Sequence, residues 1–330
     1  MVPEIRIRLV SGIGSIFIPD EVCYRQGTTG DGFKPIFDVM DTAGTAANGK
    51  PNRDAFHTNR SSAQLVSQKR CGMSLIEDLL LTLPDAPITD VVIGLHWTAV
   101  AAEVDGELRC GLASTLAGSH EHGGEPDVPE AGSLQDRPGR ALAELARDRE
   151  HPIRCSIGVA AINAMLPPLP PGNYQDGNAE EMIVQYGAGK RVVLIGHFPF
   201  VPGLSAKVGE LSVLSLNPRH GDLPASAAPQ VIPSADLVAI TGMTLINHTL
   251  ESLLELCSRQ ALVMILGPST PLSPVLFDHG VDLLSGSLVT DRNAVMQVAG
   301  QGGNFRQIHR AGVRLVTVER PGWREGKIPS

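Results

Sequence analysis

Aromatic residues make up only 4% of this 330-residue chain, so any core must be built from Leu, Val, Ile and Ala. The apolar share, 42%, is nevertheless that of an ordinary globular protein. Cysteine is sparse and unpatterned. The five (Cys23, Cys71, Cys110, Cys155 and Cys257) contain no C-x-x-C pair, and an odd number completes no disulfide framework. A structural zinc site, which needs clustered thiolate or imidazole ligands, is not expected. Basic residues form no stripe and the net charge is -8, which argues against nucleic acid as a partner. No apolar run approaches the roughly 20 residues needed to span a bilayer. Met1 to Pro19 lacks the continuous apolar stretch of a signal peptide. The expected compartment is therefore cytoplasmic, with no membrane partner. There is no G-x-S-x-G and no P-loop, which leaves hydrolases without sequence support.

The chain is long enough for two domains. Residues 1–72 read as an irregular or disordered extension. Gly27 to Gly32 and Thr42 to Pro51 are turn chemistry, and apolar periodicity is short and broken. Regular patterning begins at Met73, which is the expected start of the fold and a candidate natural start. An irregular but genuine extension is the other reading. Ser74 and Glu77 have the spacing of a capping box, followed by an apolar face of Leu75, Ile76, Leu79, Leu80 and Leu83, ended by Pro84. Val91–Val100 and Leu108–Thr115, separated by Asp105-Gly106, predict a β-hairpin. A helix is predicted over 138–149, and a nearly all-apolar, buried one over 153–166. Asn163 interrupts the second as a structural lock or a group reaching a cleft. Pro167 to Pro171 is a stiff linker, placing the boundary between a 73–170 domain and a 171–330 domain.

The second part alternates. Strands are predicted at 191–195, 211–216, 237–240, 261–266, 281–285 and 313–318. Helices are predicted at 178–186, 225–232, 246–257, 274–277 and 292–300. Strands with helices between them predict right-handed βαβ units and a parallel sheet. Such sheets bind ligands beyond the carboxyl ends of their strands. The loops that matter are therefore those after residues 195, 216, 240 and 266.

Gly196-His-Phe-Pro-Phe-Val-Pro-Gly203 is not the G-x-G-x-x-G of a dinucleotide site, and Pro199 and Pro202 have no N–H to offer a pyrophosphate. Leu214 to Pro218 also lacks the acid that holds a ribose, so no classical NAD site is expected. His197 ends a central strand, where an imidazole can bind a metal or relay a proton, or be tied to a loop carbonyl. Asp222 either supplies a carboxylate or opens the turn before Pro224, the second being the commoner use. Arg219 and His220 stand beside it. Thr244 or Asn247 can cap the helix after residue 240, whose first turn favours an anion. His248 reads as a solvated residue. Ser273-Pro274 is cap chemistry, leaving the Ser269 and Thr270 hydroxyls to point into a site. Arg306 either clamps an anion or decorates the surface. His120 and His122 have metal-compatible spacing in an acidic loop, more often a solvated arrangement.

Several of these stretches together resemble a family of domains of unknown function named for heavy-metal chelation. They are Val192-Val-Leu-Ile-Gly-His-Phe-Pro-Phe200, Asn217-Pro-Arg-His-Gly-Asp-Leu-Pro-Ala225, Ala239-Ile-Thr-Gly-Met-Thr-Leu-Ile-Asn-His-Thr-Leu250, Leu266-Gly-Pro-Ser-Thr-Pro-Leu-Ser-Pro274 and Gly303-Asn-Phe305. Upstream, Gly94-Leu-His-Trp-Thr-Ala-Val100 and Cys110-Gly-Leu-Ala-Ser-Thr115 look like its companion domain. The resemblance covers about residues 73–318. It implies a small α+β domain like the N-terminal domain of enolase, packed on a Rossmann-like α/β domain with a parallel sheet. It also implies a shared cleft and an inferred chelation activity, without assigned ligands. His197, Asp222, Thr244, Asn247, Ser269, Thr270 and Asn304 are the ligand-binding candidates because they fall on matching loops.

The leading expectation is binding or processing of a heavy or transition metal, or a metal chelate, in an interdomain cleft. His197 would be a borderline ligand and Asp222 a carboxylate ligand, with Thr244 and Asn247 orienting an anionic chelator. The alternative is a metal-independent enzyme acting on a small anionic metabolite, with His197 as acid/base. A third reading is a non-catalytic partner protein, which a large exposed apolar patch would favour. Homo-oligomerisation is compatible with each.

Overall fold

The computed structural model describes residues 74–118, 125–170, 172–177 and 179–324. The expected extension over 1–72, the start at Met73 and the His120–His122 pair lie outside the described residues.

Helix α1 (Leu75–Leu81) begins as the sequence predicts, with the Ser74 hydroxyl accepting the Glu77 N–H. The reciprocal half of the box is missing. The Glu77 carboxylate instead receives a two-pronged bond from Arg147 at 2.6 and 2.7 Å. Leu75, Ile76, Leu79 and Leu80 are buried.

The expected hairpin is a three-stranded antiparallel sheet: β1 (Ile88–Ile93), β2 (Trp97–Val104) and β3 (Glu107–Ser114). What reads as one strand over Val91–Val100 is folded back on itself at Gly94-Leu-His-Trp97, where the Gly94 N–H donates to the Trp97 carbonyl. A continuous apolar run does not reveal that fold. The constraint is tertiary, since a Cβ on Gly94 would stand 1.9 Å from the Ala299 carbonyl oxygen. Asp105-Gly106 forms the second turn, both with positive φ. Helix α2 (Gly139–Ala143) runs into a short 3₁₀ segment, and α3 (Pro152–Met165) is buried over ten of its residues. Asn163 is a lock: its amide donates to the Leu112 carbonyl at 2.8 Å. The small sheet is covered on both faces. Val100, Ala102 and Ala113 belong to one core with α3, and Ala99, Ala101 and Leu112 to another. Alanine dominates β2 because helices press on it from both sides.

The second sheet has eight strands. In chain order its elements are β4 (Gln175–Asp176), α4 (Ala179–Gly187), β5 (Arg191–Ile195), α5 (Val201–Leu204), β6 (Glu210–Ser215), β7 (Leu223–Pro224), α6 (Ala228–Val231) and β8 (Leu237–Thr241). They continue with α7 (Met243–Ile246), α8 (Leu250–Leu256), β9 (Leu262–Leu266), α9 (Val275–Asp278), β10 (Leu283–Val289), α10 (Arg292–Gly300), α11 (Phe305–Gly312) and β11 (Val313–Glu319). The order across the sheet is β4-β11-β10-β9-β8-β5-β6-β7. From β7 to β10 all neighbours are parallel. Alternate residues of β5 feed different cores, Val193 and Ile195 one and Val192 and Leu194 the other. Strands apolar on both faces are what a helix-covered parallel sheet requires.

The parallel expectation fails at the edge, where β11 runs antiparallel to β10 and β4 antiparallel to β11. Two helices, not one, separate β10 from β11, and they return the chain to the end it left. Helix α11 was not visible in the sequence because Ile308 is its one buried residue. The helix expected over 246–257 is divided. Helix α7 ends at Ile246, His248 takes φ 55°, and α8 starts at Leu250. His248 is not a solvated residue: it is half-buried and its Nε2 lies 3.0 Å from the Asp148 carbonyl oxygen. Among the described residues, no helix is long and apolar enough to cross a membrane.

Candidate functional site

In the order β6-β5-β8-β9, the chain leaves β5 toward one side of the sheet and later returns to build the other. The carboxyl ends of β5 and β8 are therefore the place where such a sheet opens a crevice. Each of the three central strands is followed by, or ends at, a glycine: Gly196 after β5, Gly242 after β8 and Gly267 after β9. Their N–H groups still continue the ladder, donating to Leu214, Leu266 and Ser285. Gly196 and Gly267 have φ of 100° and 103°, a turn no β-branched residue would take. Gly242 has ordinary φ, but a Cβ there would meet the Thr270 nitrogen at 2.8 Å.

Above this floor lies a cavity of about 200 Å³. The loop after β5 gives it His197 and Phe198, the β8 end gives Thr241 and Met243, and the β9 loop gives Pro268 and Ser269. Trp97 and Ser114 close it from β2 and β3 of the small sheet. Ser269 joins the two sheets: its Oγ accepts the Ser114 N–H at 2.8 Å and lies 3.2 Å from the Ser114 Oγ.

His197 is the ionisable side chain on the wall. Its Nδ1 lies 2.9 Å from Asp222 Oδ2, and the same oxygen accepts the Arg219 N–H at 3.0 Å. The Asp222 side chain is 3% exposed and that of His197 17%. Burial works against ionising Asp222, but the Arg219 N–H and the His197 hydrogen bond outweigh it, and the carboxyl is held below its ordinary value. A carboxylate accepting at Nδ1 favours the tautomer with its proton there, which leaves the Nε2 lone pair for a ligand or a proton. Asp222 thus stands behind the imidazole. The turn that sequence favoured for it also exists, since its own N–H donates to the Arg219 carbonyl.

Of the other candidates, Ser269 lines the cavity and four do not. Thr244 is buried, with its hydroxyl donating to the Thr241 carbonyl at 2.7 Å. Asn247 Oδ1 accepts from the Thr249 hydroxyl and N–H, holding the α7–α8 break. Thr270 is 2% exposed and packs over Gly242. Asn304 caps α11 in a full capping box with Gln307. Sequence reasoning did not single out Trp97, Ser114, Phe198 or Met243. The available signals were a tryptophan in a chain with two, and a glycine after each of three strands.

Among the described residues, no three His, Cys, Asp or Glu side chains gather into a metal-holding group. The cavity offers one imidazole, hydroxyls, a thioether residue and aromatic walls. That donor set does not fit a resident ion held by the protein alone, which takes three or four side-chain ligands.

Residues 76–166 match one family model and residues 178–317 another, and both families are described as "Putative heavy-metal chelation". The chelation families include solved structures. A DUF364-family protein of unknown function from Desulfitobacterium hafniense is 27% identical, with a TM-score of 0.63 over 74% of this chain and 98% of that one. A second, from Pyrococcus horikoshii, shows the same fold at 21% identity, with a TM-score of 0.62 over 74% of this chain and 98% of its own. An uncharacterized protein of Methanocaldococcus jannaschii is 24% identical over 214 residues, 63% of this chain and 80% of that protein.

Proposed function

We propose that the cavity binds a transition-metal ion carried by a small chelator, with His197 Nε2 taking an open coordination position. The observation that carries this is the 2.9 Å bond between His197 Nδ1 and Asp222, which turns the imidazole into a single, oriented donor. Imidazole suits borderline ions such as zinc, copper and nickel. Since the described residues lining the cavity hold no cluster of ligands, the rest of the coordination sphere comes from the chelator or water. Asp222 acts through His197 and not as a second ligand. Residues of both sheets line the cavity, so the reading puts the ligand where the two sheets meet.

The test is calorimetric titration of the full chain with nickel(II) bound to one equivalent of iminodiacetate, beside His197→Ala. The expected result is one complex per chain and a loss of at least tenfold in affinity in the variant. Equal binding by both proteins would sink the proposal. The same dyad favours a second reading, a general acid/base acting on a small metabolite without metal. A metal-independent turnover that is lost in His197→Ala would select it.

A further inference from the structure

The small sheet brings one hydroxyl to the cavity wall, that of Ser114 at the end of β3. Ser114 pairs with Trp97 in the β2–β3 register, and residues paired across an antiparallel ladder carry their side chains on the same face. Both line the cavity. Ser269, on the loop after β9, holds Ser114 at two points. Its Oγ accepts the Ser114 N–H at 2.8 Å and donates to the Ser114 Oγ at 3.2 Å. Ser269 is 2% exposed, so this double contact is shielded from water. The consequence is directional. A hydroxyl has one proton and two lone pairs. The Ser269 proton goes to Ser114, and the Ser114 Oγ receives it on a lone pair. The Ser114 proton has no acceptor among the described residues, and Ser114 is half-buried. Thr241, the other hydroxyl residue on the wall, is placed differently. Its Oγ1 accepts the Met243 N–H at 3.4 Å, and its methyl faces Gly196, where an added Cβ would meet it at 3.2 Å.

The geometry points to Ser114 as the residue that selects the ligand: its hydroxyl donates to an oxygen of the chelator, and the chelator it favours carries a carboxylate. This rests on the reading of His197 as the metal donor and adds the chemical class of the chelator. Ser269 is a positioning residue behind Ser114, as Asp222 is behind His197. A hydroxyl donating to a carboxylate makes a charge-assisted bond, about twice as strong as one between neutral groups. The described residues that line the cavity include no Asp, Glu, Lys or Arg. A carboxylate entering it is therefore neither repelled by an acid in the wall nor captured by a cation there, and a neutral donor decides between ligands. A site built to give a hydrogen bond discriminates against a ligand that cannot accept it.

The test compares nickel(II) bound to one equivalent of iminodiacetate with nickel(II) bound to one equivalent of diethylenetriamine. Both chelators hold the metal through a central amine and two arms and leave positions open. Only the first ends in carboxylates; the second offers no acceptor. The net charge of the chain, -8, favours the cationic amine complex, so a preference for iminodiacetate runs against overall charge. Calorimetry with the full chain should show the iminodiacetate complex binding about tenfold more tightly or better, the range of one hydrogen bond to a charged group. Ser114→Ala should erase that difference and leave the amine complex within about twofold of its wild-type affinity. Ser114→Cys, which keeps the shape and substitutes a weak donor, should do the same if the alanine variant does not fold. His197→Ala should weaken both complexes. Equal affinities in the wild type, or an unchanged difference in the Ser114 variants, would overturn the selector while leaving the metal donor standing. A difference that survives Ser114→Ala and disappears in Thr241→Val would also overturn it, moving the donor to the large sheet. A preference lost in Ser114→Ala, with binding indifferent to His197→Ala, would keep the selector and remove the metal donor.

Discussion

Replacing Asp222 by alanine removes the acceptor of two hydrogen bonds, from His197 Nδ1 at 2.9 Å and from the Arg219 N–H at 3.0 Å. Hydrogen bonds to a charged partner contribute about 1.5–3 kcal/mol each. Both donors can partly recover by turning to water: the His197 side chain is 17% exposed and the Arg219 bond is at the surface. The expected net cost is therefore about 1–3 kcal/mol, below the sum of the two. For a unit of this size each kcal/mol lowers Tm by about 2–4 °C, so the melting temperature should fall by roughly 2–12 °C in scanning calorimetry. Asp222→Asn keeps an acceptor and should fall less. The variants should differ more sharply in binding than in stability, because the imidazole loses the carboxylate that orients it. An Asp222→Ala protein with unchanged Tm and unchanged affinity for a metal chelate would refute the argument that this carboxylate positions His197.

Three more outcomes follow from the geometry. Asp222 is held below its ordinary carboxyl value, so its contribution is present above about pH 4 and is lost as pH falls through the native value. Asp222→Asn should therefore show a shallower loss of stability over that acid range in urea titrations at stepped pH, and an identical slope would contradict it. Gly242→Ala places a methyl 2.8–2.9 Å from the Thr270 nitrogen, the Ser269 carbonyl carbon and the Thr270 hydroxyl. Two of these are backbone atoms that cannot swing aside, so a cost of about 1–3 kcal/mol and weaker ligand binding are expected, measured by urea denaturation and calorimetry. Burial pushes the Cys110 and Cys155 thiols up to about 12, so at pH 8 the thiolate is on the order of one part in ten thousand. Peptide mapping after brief iodoacetamide treatment of the native protein should find both unlabelled.

The parallel strands were legible because each is a short apolar run bounded by turn residues, and burial on both faces leaves no polar alternation to confuse the pattern. The loops at their carboxyl ends followed from topology alone, and three of them line the cavity. The turn at Gly94 was not legible, because the atom that forbids a side chain there is the carbonyl of Ala299, two hundred residues away. The break at His248 is likewise held by Asp148, far along the chain. Polar residues were the least readable. Thr244, Asn247 and Asn304 sit on motif loops yet spend their side chains on the backbone around them, and short polar side chains often satisfy local N–H and C=O groups in this way. The cavity wall from the small sheet could not be read, since Ser114 and Ser269 meet across 155 positions of sequence.

The most direct test of the central claim is a long-range proton–nitrogen correlation spectrum of nitrogen-labelled histidine, recorded at about pH 8.5, two units above the ordinary imidazole value. The account predicts that His197 carries its proton on Nδ1, and that adding a zinc chelate moves its Nε2 resonance alone among the ring nitrogens. A proton on Nε2, or an Nε2 resonance that stays in place while the chelate binds, would contradict it.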